Sequence, residues 1–194
     1  MQRLAMFLIL SLCFTVTLSG ETRFGELTEP FLTIIENGTY RIKATVVAIE
    51  RQDMEFFKRG NNSAIQTSAQ GTSIRIVLRD DMAHLIVDSQ KMMIVAPTGE
   101  EGSSNFIDTE KLTFVETGQA RFDGRRLPYD EYTIDDNKIQ IFVNKDKLAG
   151  IRTFTSEKDS QDLVVLEFDR RVPNMMFSIP TGYTVHERES LNIE

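Results

Sequence analysis

Apolar and polar positions change their period once along this chain. Leu27, Phe31, Ile34 and Ile35 share one face of a 3.6-residue repeat. That spacing predicts a helix within Gly25–Asn37, starting close to Thr28 because Pro30 is tolerated only in a first turn. Thr28 or Glu26 is placed to cap its start, and Asn37-Gly38 is a stop signal. From Thr39 the period becomes two: Tyr40, Ile42, Ala44, Val46 and Ala48 alternate with more polar neighbours.

The alternation continues through short segments divided by turn residues. Strands are expected around Phe56-Phe57, Ile65–Ser68, Thr72–Arg79, Ala83–Val87 and Met92–Val95. Further strands follow at Lys111–Phe122, Tyr129–Ile134, Lys138–Val143, Leu148–Phe154 and Leu163–Phe168. Asp80-Asp81, Asp123-Gly124, Asp135-Asp136-Asn137 and Asn144-Lys145-Asp146 supply the turns. Ala96–Asp108, with Pro97, Gly99, Gly102 and two serines, reads as the longest loop and the most mobile one. The chain closes through Met176–Pro180, where the proline ends strand pairing.

About ten strands in meander order, with no helix between them, make an antiparallel sheet. A sheet of that width accumulates twist and curls. The fold class expected is therefore α+β and mainly β: a strongly curved antiparallel sheet, an incomplete barrel, with a short N-terminal helix packed on its concave face. No composition break divides residues 21–194, so they are read as one domain.

The first twenty residues stand apart. A basic start at Arg3, an apolar run from Leu4 to Leu18 and the small pair Ser19-Gly20 have the layout of a secretory signal peptide. Export to the periplasm or another extracytoplasmic envelope compartment is the expectation. The single cysteine, Cys13, falls inside this leader, which leaves residues 21–194 without a disulfide, a thiol nucleophile or a cysteine metal site. A formal charge of −7 argues against a nucleic-acid partner and for a monomer.

Chemistry is sparse. His84 lies on an apolar strand and His186 in a charged tail, neither with a neighbour at metal-ligand spacing. No Gly-x-Ser-x-Gly and no phosphate loop occurs. The acidic pairs Asp80-Asp81, Glu100-Glu101, Asp130-Glu131 and Asp135-Asp136 all fall at predicted turns, where aspartate is favoured for local hydrogen bonding. The reading is of a non-enzyme with no cofactor and no metal. Methionines are more suggestive: Met82, Met92, Met93, Met175 and Met176 lie in or beside strands, and methionine adapts to variable apolar shapes.

Several segments carry a family resemblance. They are Gly71-Thr72-Ser73-Ile74-Arg75-Ile76, the Asp80-Asp81 hairpin, Leu127-Pro128-Tyr129-Asp130-Glu131-Tyr132 and Lys147–Arg152. The closing Phe177-Ser178-Ile179-Pro180-Thr181-Gly182-Tyr183 completes the set. Together with the leader and the helix-then-meander order, the chain resembles exported bacterial proteins of the lipoprotein-carrier superfamily, with the LolA/LolB-like fold. The resemblance implies an incomplete β-barrel with a helical lid over an apolar cavity, and a carrier of lipid-modified proteins or acyl chains that does no chemistry. No ligand-contact residue of the family maps onto a position here.

The function expected is binding of a hydrophobic small molecule or acyl chain in a half-barrel. The candidate lining is Leu27, Phe31, Ile34, Ile74, Ile76, Leu78, Ile86, Met92, Ile94, Phe114, Ile139 and Ile141. The alternative is an envelope module that binds another protein or a cell-wall polymer through a sheet edge or the Ala96–Asp108 loop. A third reading, a hydrolase built on the acidic pairs, requires two converging buried carboxylates.

Overall fold

The computed structural model describes residues 23–47, 51–69, 71–98, 106–135, 137–156 and 159–188. The proposed leader, Glu100-Glu101 and most of the Ala96–Asp108 loop lie outside these residues. Among the described residues one α-helix, α1 (Glu29–Glu36), precedes β1 (Thr39–Val47), β2 (Arg51–Arg59), β3 (Asn62–Ala69), β4 (Thr72–Arg79), β5 (Met82–Val87) and β6 (Met92–Pro97). Next come β7 (Thr113–Phe122), β8 (Arg125–Ile134), β9 (Asn137–Asn144), β10 (Lys147–Phe154), β11 (Ser160–Asp169) and β12 (Thr184–Glu187). All twelve strands form one sheet in the order β12-β6-β5-β4-β3-β2-β1-β11-β10-β9-β8-β7. The sheet curls without closing, an incomplete barrel with α1 on its concave face.

The meander halves β1–β6 and β7–β11 meet where β1 pairs with β11, from Arg41 opposite Asp169 to Val47 opposite Asp162. The hairpins work as their sequences predict. Asp80 and Asp81 both take positive φ, as do Asp123 and Gly124, which matches the twist of the flanking strands. One expectation needs correcting: the sheet is not wholly antiparallel, because β12 runs parallel to β6. A second correction concerns Met176–Pro180. This stretch is not a strand, and Asn174–Phe177 forms a 3-10 turn instead.

That turn belongs to a segment that crosses the outer face of β2–β6. Val172 and Phe177 are buried against Phe57, Ala64, Val77, Ile86 and Met93. The guanidinium of Arg75 donates to the carbonyls of Met175, Met176 and Ser178, each at 3.1 Å, and so fixes the turn. Arg59 donates to the Val172 carbonyl and stacks over the Phe177 ring. The segment then delivers β12 to the open edge of β6, covering main-chain groups that would otherwise invite pairing.

On the inner face, α1 buries Phe31, Leu32 and Ile35 against β1, β2 and β8–β11. Its position depends on polar contacts as well as on this stripe. Thr28 precedes the helix, but its hydroxyl does not cap it. The Thr28 amide and hydroxyl donate instead to Asp130 Oδ2, at 3.0 and 2.9 Å. Thr117 donates to Asp130 Oδ1 at 2.7 Å, and the Gly25 amide donates to the Tyr132 hydroxyl at 2.9 Å. Asp130 is fully buried in the middle of β8, so the turn reading of the Asp130-Glu131 pair is overturned. Glu131 points to the other face, where Gln140 and Lys138 engage it at 2.9 and 3.3 Å. The two carboxylates do not converge. Gly25 allows the close approach, since a Cβ there would collide with the Asp130 carboxylate.

Replacing Asp130 by Ala removes the acceptor shared by the Thr28 amide, the Thr28 hydroxyl and the Thr117 hydroxyl, while the Thr28 amide keeps the Gly25 carbonyl at 3.1 Å and the Thr28 hydroxyl keeps Tyr132. Urea unfolding of Asp130→Ala is expected to show a loss of about 2 kcal/mol. A loss below about 1 kcal/mol would mean that the apolar stripe of α1 holds the helix unaided.

Candidate functional site

Strand parity decides what the concave face presents. Residues paired across neighbouring strands share a face, and a one-residue step reverses it. Ile42 pairs with Phe56, Phe56 with Ile65, Ile65 with Ile76, Ile76 with Leu85 and Leu85 with Ile94, so one apolar row crosses β1–β6. In the other half the row continues through Phe168 on β11. Leu163 pairs with Ile151 and Ile151 with Ile141 across β11, β10 and β9, and Ile139, two residues along β9 on the same face, pairs with Tyr132 on β8.

Under α1 this face is filled. The Phe31 ring meets Phe168 edge-on at 5.9 Å, and Tyr40 stacks on Phe56 at 5.7 Å. The stretch Phe106–Leu112 adds a second cover. Ile107 and Leu112 are buried in the same core, and the Phe106 ring lies 5.5 Å from Phe56. Two hydrogen bonds hold it down. The Phe106 amide donates to the Tyr40 hydroxyl at 3.2 Å, and Arg23 donates to the Thr109 carbonyl at 2.7 Å. Burial pushes the Tyr40 hydroxyl up to about 12, against the opposite pull of the Phe106 amide, so the phenol stays neutral. Burial likewise raises Tyr132 and lowers Lys58, both on this face.

Where that cover ends, a cavity of about 370 Å³ opens. Its walls are Val46, Ile134, Ile139, Ile151 and Leu163 from five strands, with Phe106 and Ile107 from the covering stretch. Polar side chains are confined to Asp108, Thr153 and Gln161. Asp108 is engaged locally, accepting from the Glu110 amide at 3.2 Å. A wall of this composition offers shape and apolar contact. It gathers no nucleophile with a base. Among the described residues no three His, Cys, Asp or Glu side chains stand together as a metal site.

Farther along, the concave face of β4–β6 is left half open. Ile74, Ile76, Leu78, Met92 and Ile94 are only partly buried and belong to no core cluster. The candidate lining residues therefore separate into groups. Phe31, Ile139 and Ile141 are buried in the inner core, with Leu27 and Ile34 packed partly against it. Ile139 also lines the cavity. The five residues of β4–β6 face the same side beyond the helix. Ile86 pairs with Arg75 and Met93 and packs on the opposite face under the C-terminal segment, so it cannot line the concave face. Phe114 sits on the edge strand β7, 38% exposed, with its ring 5.8 Å from Tyr132.

Sequence reasoning missed most of the cavity wall. Val46, Ile151 and Leu163 lie on strands whose alternation was visible, and pairing alone brings them together. Phe106 and Ile107 fell inside the stretch read as loop, and two adjacent apolar residues there were the available signal. The histidines stay apart from all of this. His84 lies on the outer face between Val77 and Val95, and His186 is exposed on β12.

No protein family and no curated protein matches the chain. Solved structures do. An uncharacterized conserved protein from Thermus thermophilus aligns over 83% of this chain and 99% of its own, with 12% identity and a TM-score of 0.56. The two share a fold. A DUF1329 family protein from Desulfovibrio piger covers 77% of this chain and 93% of its own, with 10% identity and a TM-score of 0.39. A putative outer membrane lipoprotein-sorting protein domain from Vibrio parahaemolyticus covers 72% and 90%, with 13% identity and a TM-score of 0.33. At these identities the likeness concerns architecture and leaves the cavity to be read from its own residues.

The Tyr40 phenol gives this region a pH signature. Its folded value lies above the unfolded one, so its contribution is complete below pH 10 and is lost as pH rises toward 12. Tyr40→Phe should cost about 1 kcal/mol at pH 8, through the orphaned Phe106 amide. It should also remove an alkaline loss of about 2 kcal/mol. Denaturation curves of the two proteins are expected to cross between pH 10 and 12; parallel curves would place the phenol in contact with water.

Proposed function

We propose that this protein is an exported, non-enzymatic carrier that shelters an acyl chain or a similar apolar ligand in its half-barrel. On this reading residues 1–20 are its secretory leader, residues 21–194 form one domain, and the cell envelope is its place of work. The observation that carries the proposal is the 370 Å³ cavity on the concave face, walled by seven apolar residues and three polar ones. Its volume lies in the range of small-molecule pockets, near the lower end. A chain of methylenes suits such a wall, because each one buried contributes about 0.8 kcal/mol and asks for no polar partner. The half-open face of β4–β6 adds apolar surface on the same side of the sheet, room for the remainder of a longer ligand. An open apolar hollow walled from five strands also favours this reading over an interaction module, which needs none.

Thermal unfolding of delipidated protein tests the proposal. Palmitate or lysophosphatidylcholine at about a hundred times its dissociation constant should stabilise by about 2.7 kcal/mol, a rise of roughly 5–10 °C. Leu163→Trp, or Gln161→Trp at the rim, should fill the cavity and abolish the rise. No shift with either lipid in the unmodified protein would sink the carrier reading.

A further inference from the structure

The β10–β11 ladder is short. It runs from Gly150 opposite Val164 to Phe154 opposite Ser160, and there it stops. Beyond Gly150, residues 147–149 pair only with β9, and residues 165–169 pair only with β1. Each strand carries an irregularity at the parting. Ala149 is skipped in the β9 register, and Leu166 is skipped in the β1 register and stands 54% exposed. Bulges bend strands and end pairing, and they concentrate at barrel rims and binding sites.

Between the diverging strands lies a cleft of about 600 Å³, separate from the apolar cavity at the other end of the same ladder. Phe31 and Phe168 line it from the inner side, and Phe122 and Leu127 from the outer cluster. Both sides of the wall are therefore apolar, and each flanking strand lacks a strand neighbour on the side that faces the cleft. At the mouth stand Asp123 and Asp146 with Arg125 and Lys147, and Glu167 and Asp169 pair there with Arg41 at 3.1 and 3.6 Å. With Arg41 counted, four carboxylates face three cations, and Asp123 and Asp146 carry the acidic excess.

We propose that this cleft binds an extended peptide segment by strand addition beside β11, with apolar residues in the slot and a basic residue at its mouth. Strand addition draws affinity from main-chain hydrogen bonds, and it draws specificity from the pockets that receive alternate side chains. A strand inserted here would send successive side chains toward the Phe31 side and the Phe122 side in turn, and each side receives an apolar group. The rim charges select lysine or arginine over an acidic residue at the end. This site does not depend on the acyl-chain reading, and the two can fail separately.

The test uses the full chain and a short blocked peptide of alternating valine and leucine closed by two lysines. Amide hydrogen exchange at residues 165–169 and 147–149 is expected to slow at least about ten-fold when the peptide binds. The same peptide with every backbone amide N-methylated should give no protection. Asp146→Lys, at an exposed turn, should weaken binding by about five-fold at low salt, and Ala149→Trp should fill the slot and abolish it. Equal binding of the N-methylated peptide would overturn the proposal. Protection at the β7 edge instead of β11, or no protection at millimolar peptide, would overturn it equally.

Discussion

Everything on the concave face depends on where α1 is held, and a buried carboxylate holds it. Asp130 gathers the Thr28 amide and hydroxyl inside the core and the Thr117 hydroxyl at its edge. An apolar stripe alone is permissive, because apolar burial is non-directional and does not fix which strands Phe31, Leu32 and Ile35 meet. Directional bonds remove that freedom. They also explain why the residue that looks like a helix cap does not cap: Thr28 is committed to the sheet, and the Pro30 ring spares the first turn one of its unpaired donors.

Placing the helix there has a cost in coverage that shapes the rest of the molecule. An eight-residue helix is about 12 Å long and about 10 Å wide, whereas twelve strands spaced about 4.8 Å apart span more than about 50 Å along the curve. The helix can seal only the join between the two meander halves, where β1 meets β11. Phe106–Leu112 extends the seal over one side, and the cavity begins where that stretch runs out. On the other half Ile74, Ile76, Leu78, Met92 and Ile94 stay only partly buried, between the buried Ala83, Val87 and Ala96. The stabilising cover for that half lies outside, where Arg59 and Arg75 pin the segment that carries Val172 and Phe177.

How much of this was readable follows from the range of each signal. Strand alternation and turn chemistry are local, and the positive φ of Asp80, Asp81, Asp123 and Gly124 shows the turns obeying it. The helix boundaries follow from Pro30 and Asn37-Gly38 for the same reason. Facing is less local. On β5 both faces are apolar, so the pattern cannot distinguish Leu85, which faces inward, from Ile86, which does not. Asp130 was the harder case. Its partner Thr28 lies 102 residues away, and a carboxylate beside a glutamate looks like turn chemistry until the pairing is known. The parallel β12 was illegible for a related reason, since four exposed residues bear no inward pattern and owe their place to the clamp upstream.

The short β10–β11 ladder shows how one local requirement creates two distinct openings. Gly150 must lack a side chain, because a Cβ there would run into the Phe122 ring and the Leu163 carbonyl. That contact lets Phe122 stack on Phe142 at 4.3 Å, with the Arg152 guanidinium over both rings and held by Asp162. The outer cluster is thereby locked onto the middle of the ladder. With the middle fixed, the bulges at Ala149 and Leu166 can only turn the strand ends away from each other. Toward Thr153 and Gln161 the strands stay paired and form one wall of the apolar cavity. Toward Lys147 and Asp169 they part, and the sheet is left with a gap whose walls are still apolar on both faces.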